Sequence, residues 1–147
     1  MTDTIKTKIT LLSPTDEIVV PLLIKLNDCD MEMKLTYKGV QYTGKGSDYL
    51  WEDAFANLQK ELPKGIKLAC CMTCRHGNMC PYGNKPNELF CTKDIFVNSK
   101  IDMCDLFDKT DAYNERKVFS CGFCDDFVYQ SENFYTYNDY LYQLHKE

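Results

Sequence analysis

Seven cysteines stand at Cys71-x2-Cys74-x5-Cys80-x10-Cys91-x12-Cys104-x16-Cys121-x2-Cys124, with Cys70 directly ahead of the run. Thiolates bind borderline and soft metal ions, and one tight turn presents two of them from positions two residues apart. Such a pair supplies half of a tetrahedron, which a second pair or two single cysteines complete. The run therefore predicts a metal centre, with zinc expected first, because zinc accepts four thiolates and makes no redox demand. An iron–sulfur cluster uses the same ligands and is the alternative.

Reduced thiols are a condition for that chemistry. The N-terminus, Met1-Thr-Asp-Thr-Ile-Lys-Thr-Lys8, has no apolar run behind it and does not read as a secretory signal. The longest apolar stretch, Ile18 to Leu26, is broken by Pro21 and Lys25 and is too short to span a bilayer. A cytoplasmic location without membrane association is the expectation, and nine cysteines, an odd number, fit poorly with a full set of internal disulfides.

The elements that must position the thiols come before them. Ile5, Thr7, Ile9 and Leu11 alternate with Lys6, Lys8, Thr10 and Leu12, the period-two pattern of a half-buried strand. Ile18 to Leu26 reads as a second strand whose Pro21, lacking a donor, belongs near an edge or a bulge. Met31, Met33, Leu35 and Tyr37 give a third, and Lys38-Gly39 turns the chain into Val40-Gln-Tyr-Thr43. The segment Gly44-Lys-Gly-Ser-Asp48 is expected to break the sheet, with Asp48 capping an amphipathic helix over about 49–62 whose stripe is Leu50, Ala54, Leu58 and Leu62, widened by Trp51 and Phe55. Pro63 and Gly65 end it, and Ile66 to Ala69 returns as a strand. The fold class read from this order is α+β. It comprises an antiparallel sheet with one main helix over residues 1–69, a cysteine-rich metal-stapled module over 70–126, and an aromatic segment over 127–147 packing on the same globular unit.

The stretch 30–70 resembles the β-β-β-α portion of HicB-type antitoxins and, more distantly, double-stranded-RNA-binding domains. The resemblance implies a toxin-neutralising role. The RNA version needs lysines at the helix start, where this chain has Asp48-Tyr-Leu-Trp-Glu-Asp53.

Cys71-Met-Thr-Cys74, Glu88-Leu-Phe-Cys91-Thr-Lys-Asp94 and Met103-Cys104-Asp-Leu-Phe107 resemble small bacterial modules of the form Cys-x-x-Cys, Cys-x-Lys, Cys-x-x-Phe that hold zinc or an iron–sulfur cluster. That resemblance, over residues 70–107, implies Cys71, Cys74, Cys91 and Cys104 as ligands. Cys80, Cys121 and Cys124 form a second tier, because Cys71, Cys74, Cys121 and Cys124 would make a site similar to a zinc ribbon. Accessory subunits of glycyl-radical decarboxylases are similar in carrying scattered cysteines on a cluster. One metal is expected, and His76 or Cys70 would have to join for a second. Cys29 reads as a thiol in a turn between Asp28 and Asp30, and Cys70 as a core residue.

Cys121-Gly-Phe-Cys124 also has a dithiol redox reading, which wants its first cysteine at a helix N-terminus. Val118-Phe-Ser-Cys121 reads instead as a strand, and Asp125-Asp126 disfavour a thiolate. Neither His76 nor His145 sits in a triad, zinc-protease or phosphate-loop motif, so no catalytic residue is assigned. The net charge of −5 argues against nucleic-acid binding, which needs a basic surface. Residues 70–147 hold 8 Lys and Arg against 12 Asp and Glu, while residues 1–69 hold 9 against 10. The acidity and the tyrosines of 127–142 imply a protein partner, a basic one fitting best. The function class expected is a zinc-stabilised interaction protein, adaptor or toxin-neutralising, with an iron–sulfur accessory or electron-transfer protein as the alternative and a dithiol redox protein third.

Overall fold

A computed structural model describes residues 2–83 and 85–146. The elements in chain order are β1 (Thr2–Leu12), β2 (Glu17–Asn27), β3 (Asp30–Tyr37), β4 (Val40–Ser47), α1 (Trp51–Glu61), β5 (Lys67–Ala69), β6 (Gly77–Asn78), β7 (Glu88–Cys91), α2 (Lys100–Lys109), α3 (Ala112–Glu115), β8 (Lys117–Phe119) and α4 (Tyr140–His145). The protein is α+β, and the chain divides into two compact units. One holds the residues up to Ala69 together with those from Asp139 on, and the other holds Cys70–Asn138. The aromatic segment expected over 127–147 is thus shared between them.

The first unit is a five-stranded antiparallel sheet in the order β4-β3-β2-β1-β5. Its alternation follows the sequence: Met31, Met33, Leu35 and Tyr37 of β3 are buried, as are Ile9 and Leu11 of β1, while Lys6 and Lys8 face out. Lys38 and Gly39, at φ 50° and 78°, make the two-residue turn between β3 and β4, since both positions need the left-handed region. β2 is the central strand and its register with β1 is unbroken, so Pro21 lies neither at an edge nor at a bulge; it stands opposite Lys8, one residue before the β3 pairing opens at Leu22.

Two further features differ from what the sequence predicts. The Gly44–Ser47 stretch does not break the sheet; β4 runs through it, with Gly44 opposite Met33 and Gly46 opposite Met31. The glycines are there for space. A Cβ on Gly44 would stand 2.5 Å from Ala54 O and from Leu58 N, because α1 lies directly on the strand. Nor does Asp48 cap the helix: α1 begins at Trp51 behind Leu50, with no side-chain cap. Glu52, Ala54, Phe55 and Leu58 of α1 are buried, and α4 packs beside it, Lys60 donating to the Gln143 carbonyl at 3.1 Å.

The second unit is built on a three-stranded antiparallel sheet, β6-β7-β8, with α2 and α3. Ser99 caps α2 through its hydroxyl, which accepts the Asp102 N–H at 3.2 Å. Met103, Leu106 and Ala112 form a small core under Val97, Phe107, Tyr135 and Tyr137, and Phe107 meets the buried Phe90 of β7 edge-on at 5.0 Å.

Candidate metal centre

Three separated pieces of the second unit bring thiols together. The first is the tight loop Cys70–Cys74, closed by successive turns in which Thr73 N–H donates to the Cys70 carbonyl at 3.0 Å and Cys74 N–H to the Cys71 carbonyl at 3.3 Å. Gly77 N–H then donates to the Cys74 carbonyl at 3.1 Å, and the chain enters β6. The second piece is β7, which ends at Cys91 opposite Gly77. The third follows β8. Gly122 N–H turns back to the Phe119 carbonyl at 2.9 Å, and Cys71 N–H and Met72 N–H reach the Gly122 and Ser120 carbonyls at 2.8 and 3.0 Å. That stitching carries Cys124 to the loop. Beyond it Arg75 N–H donates to the Val128 carbonyl at 2.8 Å, and Cys74 bridges to Tyr129.

The result is a small pocket of about 20 Å³ walled by Cys70, Cys71, Cys74, Cys91 and Cys124 together with Val118, Phe123 and Phe127. That is room for one water-sized particle or a single ion. His76, Lys93 and Asp126 also reach its wall, and Lys93 Nζ sits 3.0 Å from the Asp126 carboxylate. Among the described residues no three His, Cys, Asp or Glu side chains are drawn into a finished metal site; the five thiols line the pocket without closing upon it.

The electrostatics fit that arrangement. Burial pushes the Cys71 thiol up to about 12, and the nearby Cys70, Cys74, Cys91 and Cys124 add to the effect. Cys74 is raised by burial as well, with Cys91 and Cys124 contributing, although the N–H groups of Val128 and His76 donate to its sulfur and favour the thiolate. Cys70 is raised to about 11 by full burial, against hydrogen bonds from Thr73 and Met72. Several thiolates crowded together need a compensating cation. Lys93 supplies part of it: its ammonium is held charged first by Asp126 and then by Cys124 and Cys91.

The pocket draws on both quartets expected from sequence. The pocket takes Cys91 from one expected quartet and Cys124 from the other, with Cys71 and Cys74 common to both. Cys104 lies half-buried on α2, beside the Tyr82 hydroxyl that donates to Asp108 at 2.9 Å. Cys121 is buried next to Cys70 and Cys71 but is not on the pocket wall, and it follows a strand, not a helix start. Cys80 is buried after β6, and Cys29 is exposed in the turn between β2 and β3. No disulfide links the described cysteines.

Residues outside the cysteine pattern shape the loop. Asn138 donates through its amide to the Gly77 carbonyl at 2.6 Å, and Gln130 to the Met72 carbonyl at 2.8 Å. The Asn78 carboxamide accepts the Tyr137 N–H at 2.6 Å. Spacing gave no signal for these three, since their partners lie about 60 residues away in the chain, a separation of 61 for Asn138 and Gly77. Gly122 was invisible for the same reason: a Cβ there would meet Cys71 Sγ at 3.5 Å and the Phe119 carbonyl at 3.1 Å. In comparisons with known proteins, the chain matches no family model, no curated protein and no solved structure.

Proposed function

We propose that Cys71, Cys74, Cys91 and Cys124 hold one zinc ion as four thiolates, and that the ion is structural. It would tie the Cys70–Cys74 loop, the end of β7 and the segment after β8 into one body. The observation that carries this is an ion-sized pocket lined by five thiols from three chain segments, of which Cys70 is fully buried and is read as a core residue. The pocket's size favours one ion over an iron–sulfur cube. When bound, zinc supplies binding free energy on the order of 10 kcal/mol to a loop-rich unit. The protein around it is a cytoplasmic interaction protein of adaptor or toxin-neutralising type, whose acidic, tyrosine-bearing surface takes a basic protein partner. That no described helix is long and apolar enough to cross a membrane is consistent with this.

Metal analysis of the purified chain tests the centre. The expected result is zinc at one equivalent, lost in Cys71→Ser, Cys74→Ser, Cys91→Ser and Cys124→Ser and kept in Cys80→Ser and Cys104→Ser. Iron with visible absorption would establish the cluster alternative instead. Loss of zinc in Cys104→Ser with retention in Cys124→Ser would restore the other quartet. The interaction half is tested by affinity capture from one extract with zinc-loaded and chelated protein. A basic protein held by the loaded form alone supports it, and empty captures in both arms refute it.

A further inference from the structure

The four thiols are not equally sheltered. Cys74 is only 8% exposed, whereas Cys124 is exposed and Cys71 and Cys91 are half-buried. Outside the small pocket lies an open groove of about 690 Å³, and Cys71, Cys91 and Cys124 line it while Cys74 does not. Lys93 lines both spaces, next to Cys91 and Cys124. The centre therefore has a closed side at Cys74 and an open side at Cys91 and Cys124.

We propose that Cys124 is a modification site for hydroperoxides, and that its oxidation closes a Cys91–Cys124 disulfide and expels the metal. This rests on the four-thiolate reading above. In the first step the Cys124 thiolate attacks one peroxide oxygen. The S–O bond forms, the O–O bond breaks, and the departing hydroxide or alkoxide takes a proton. The sulfur loses two electrons to the peroxide and becomes a sulfenic acid. In the second step the Cys91 thiolate attacks that sulfur, forming the S–S bond and breaking the S–O bond, and the leaving hydroxide is protonated to water. With hydrogen peroxide the sum is two thiolates, one peroxide and two protons giving one disulfide and two waters. Cys71 and Cys74 then remain as half a tetrahedron, too few to retain zinc. Cys121 is the nearest alternative partner in sequence, but it is 4% exposed and adjoins Cys70 and Cys71, not the groove.

The test uses the full zinc-loaded chain carrying Cys29→Ser, which removes an exposed thiol distant in sequence from the centre, and hydrogen peroxide as the probe. Zinc release is followed with a chromogenic chelator, and thiol states by differential alkylation and mass spectrometry. The expected result is release of one zinc per Cys91–Cys124 disulfide, Cys124 reacting at least about tenfold faster than Cys74 because thiolate oxidation follows access. Reductant with added zinc should restore the loaded form. If zinc is bound and is kept under peroxide, or if Cys74 reacts first, the inference falls and the metal reading stands. A chain that binds no zinc at the outset overturns the metal reading, and this inference with it.

Discussion

Replacing Gly77 with alanine should damage the proposed zinc centre without touching any of its four proposed ligands. Gly77 pairs with Cys91 across β6 and β7, and an added Cβ would fall within the Cys71 carbonyl oxygen's contact sphere, 3.0 Å from the Cys71 carbonyl carbon and 3.3 Å from the Leu89 side chain. Neither side can yield cheaply. The Cys71 N–H is held by the Gly122 carbonyl at 2.8 Å, the Gly77 N–H by the Cys74 carbonyl at 3.1 Å and the Gly77 carbonyl by Asn138 at 2.6 Å, while Leu89 is fully buried. Overpacking of this kind costs about 1–3 kcal/mol, and backbone atoms on both sides put Gly77 at the upper end. Loss of one or two of the hydrogen bonds adds about 1 kcal/mol each, for a total near 4–5 kcal/mol. If that strain falls on the zinc-bound form, affinity drops by roughly three to three and a half powers of ten, at about 1.4 kcal/mol per tenfold. Competition titration against a chelator of known zinc affinity measures it, with thermal melts of the loaded and chelated chain beside it. A Gly77→Ala chain whose zinc affinity stays within about twofold of the parent, a difference under roughly 0.5 kcal/mol, would refute the reasoning.

Three further outcomes are expected. Gly44→Ala, whose Cβ would press on Ala54 O and Leu58 N at 2.5 Å, should lower stability by about 1–3 kcal/mol in denaturant titration. Ser99→Ala removes the hydroxyl that accepts the Asp102 N–H and should cost about 1 kcal/mol, read by the same method. Glu52 is 4% exposed, accepts the Asp139 N–H at 3.2 Å, and burial raises its carboxyl above 4.5. The folded chain then holds this proton more tightly than the unfolded chain, so its contribution is greatest below 4.5 and is lost as pH rises through the folded value. Glu52→Gln, which keeps an acceptor and removes the charge, should therefore stabilise the protein at neutral pH and lose that advantage in acid. Equal effects at both pH values would show that the charge is not what burial opposes.

What could be read from residues alone was local. Alternation of Met31, Met33, Leu35 and Tyr37, the Lys38-Gly39 turn and the stripe from Trp51 to Leu58 define strands, a hairpin and a helix by short periods, and the first Cys-x2-Cys pair is set by a turn within five residues. The features misread, Gly44 in a continuing strand and an uncapped α1, depend on a helix lying on that strand, which a linear pattern does not report. The aromatic segment likewise parts between two units because Asn138 and Tyr137 bond to Gly77 and Asn78 while Gln143 bonds to Lys60. The thiols divide in the same way. Their number and the spacing of Cys71 and Cys74 were present in the sequence, but that Cys91 and Cys124 line the pocket beside them, and Cys104 and Cys121 do not, was decided by tertiary structure. Cys91 is placed by β-sheet register against Gly77, Cys124 by backbone bonds from Cys71 and Met72 to the chain after β8, and Cys104 sits on a helix anchored by Met103 and Leu106. Those are contacts between residues far apart in the chain, and spacing along it carries no record of them.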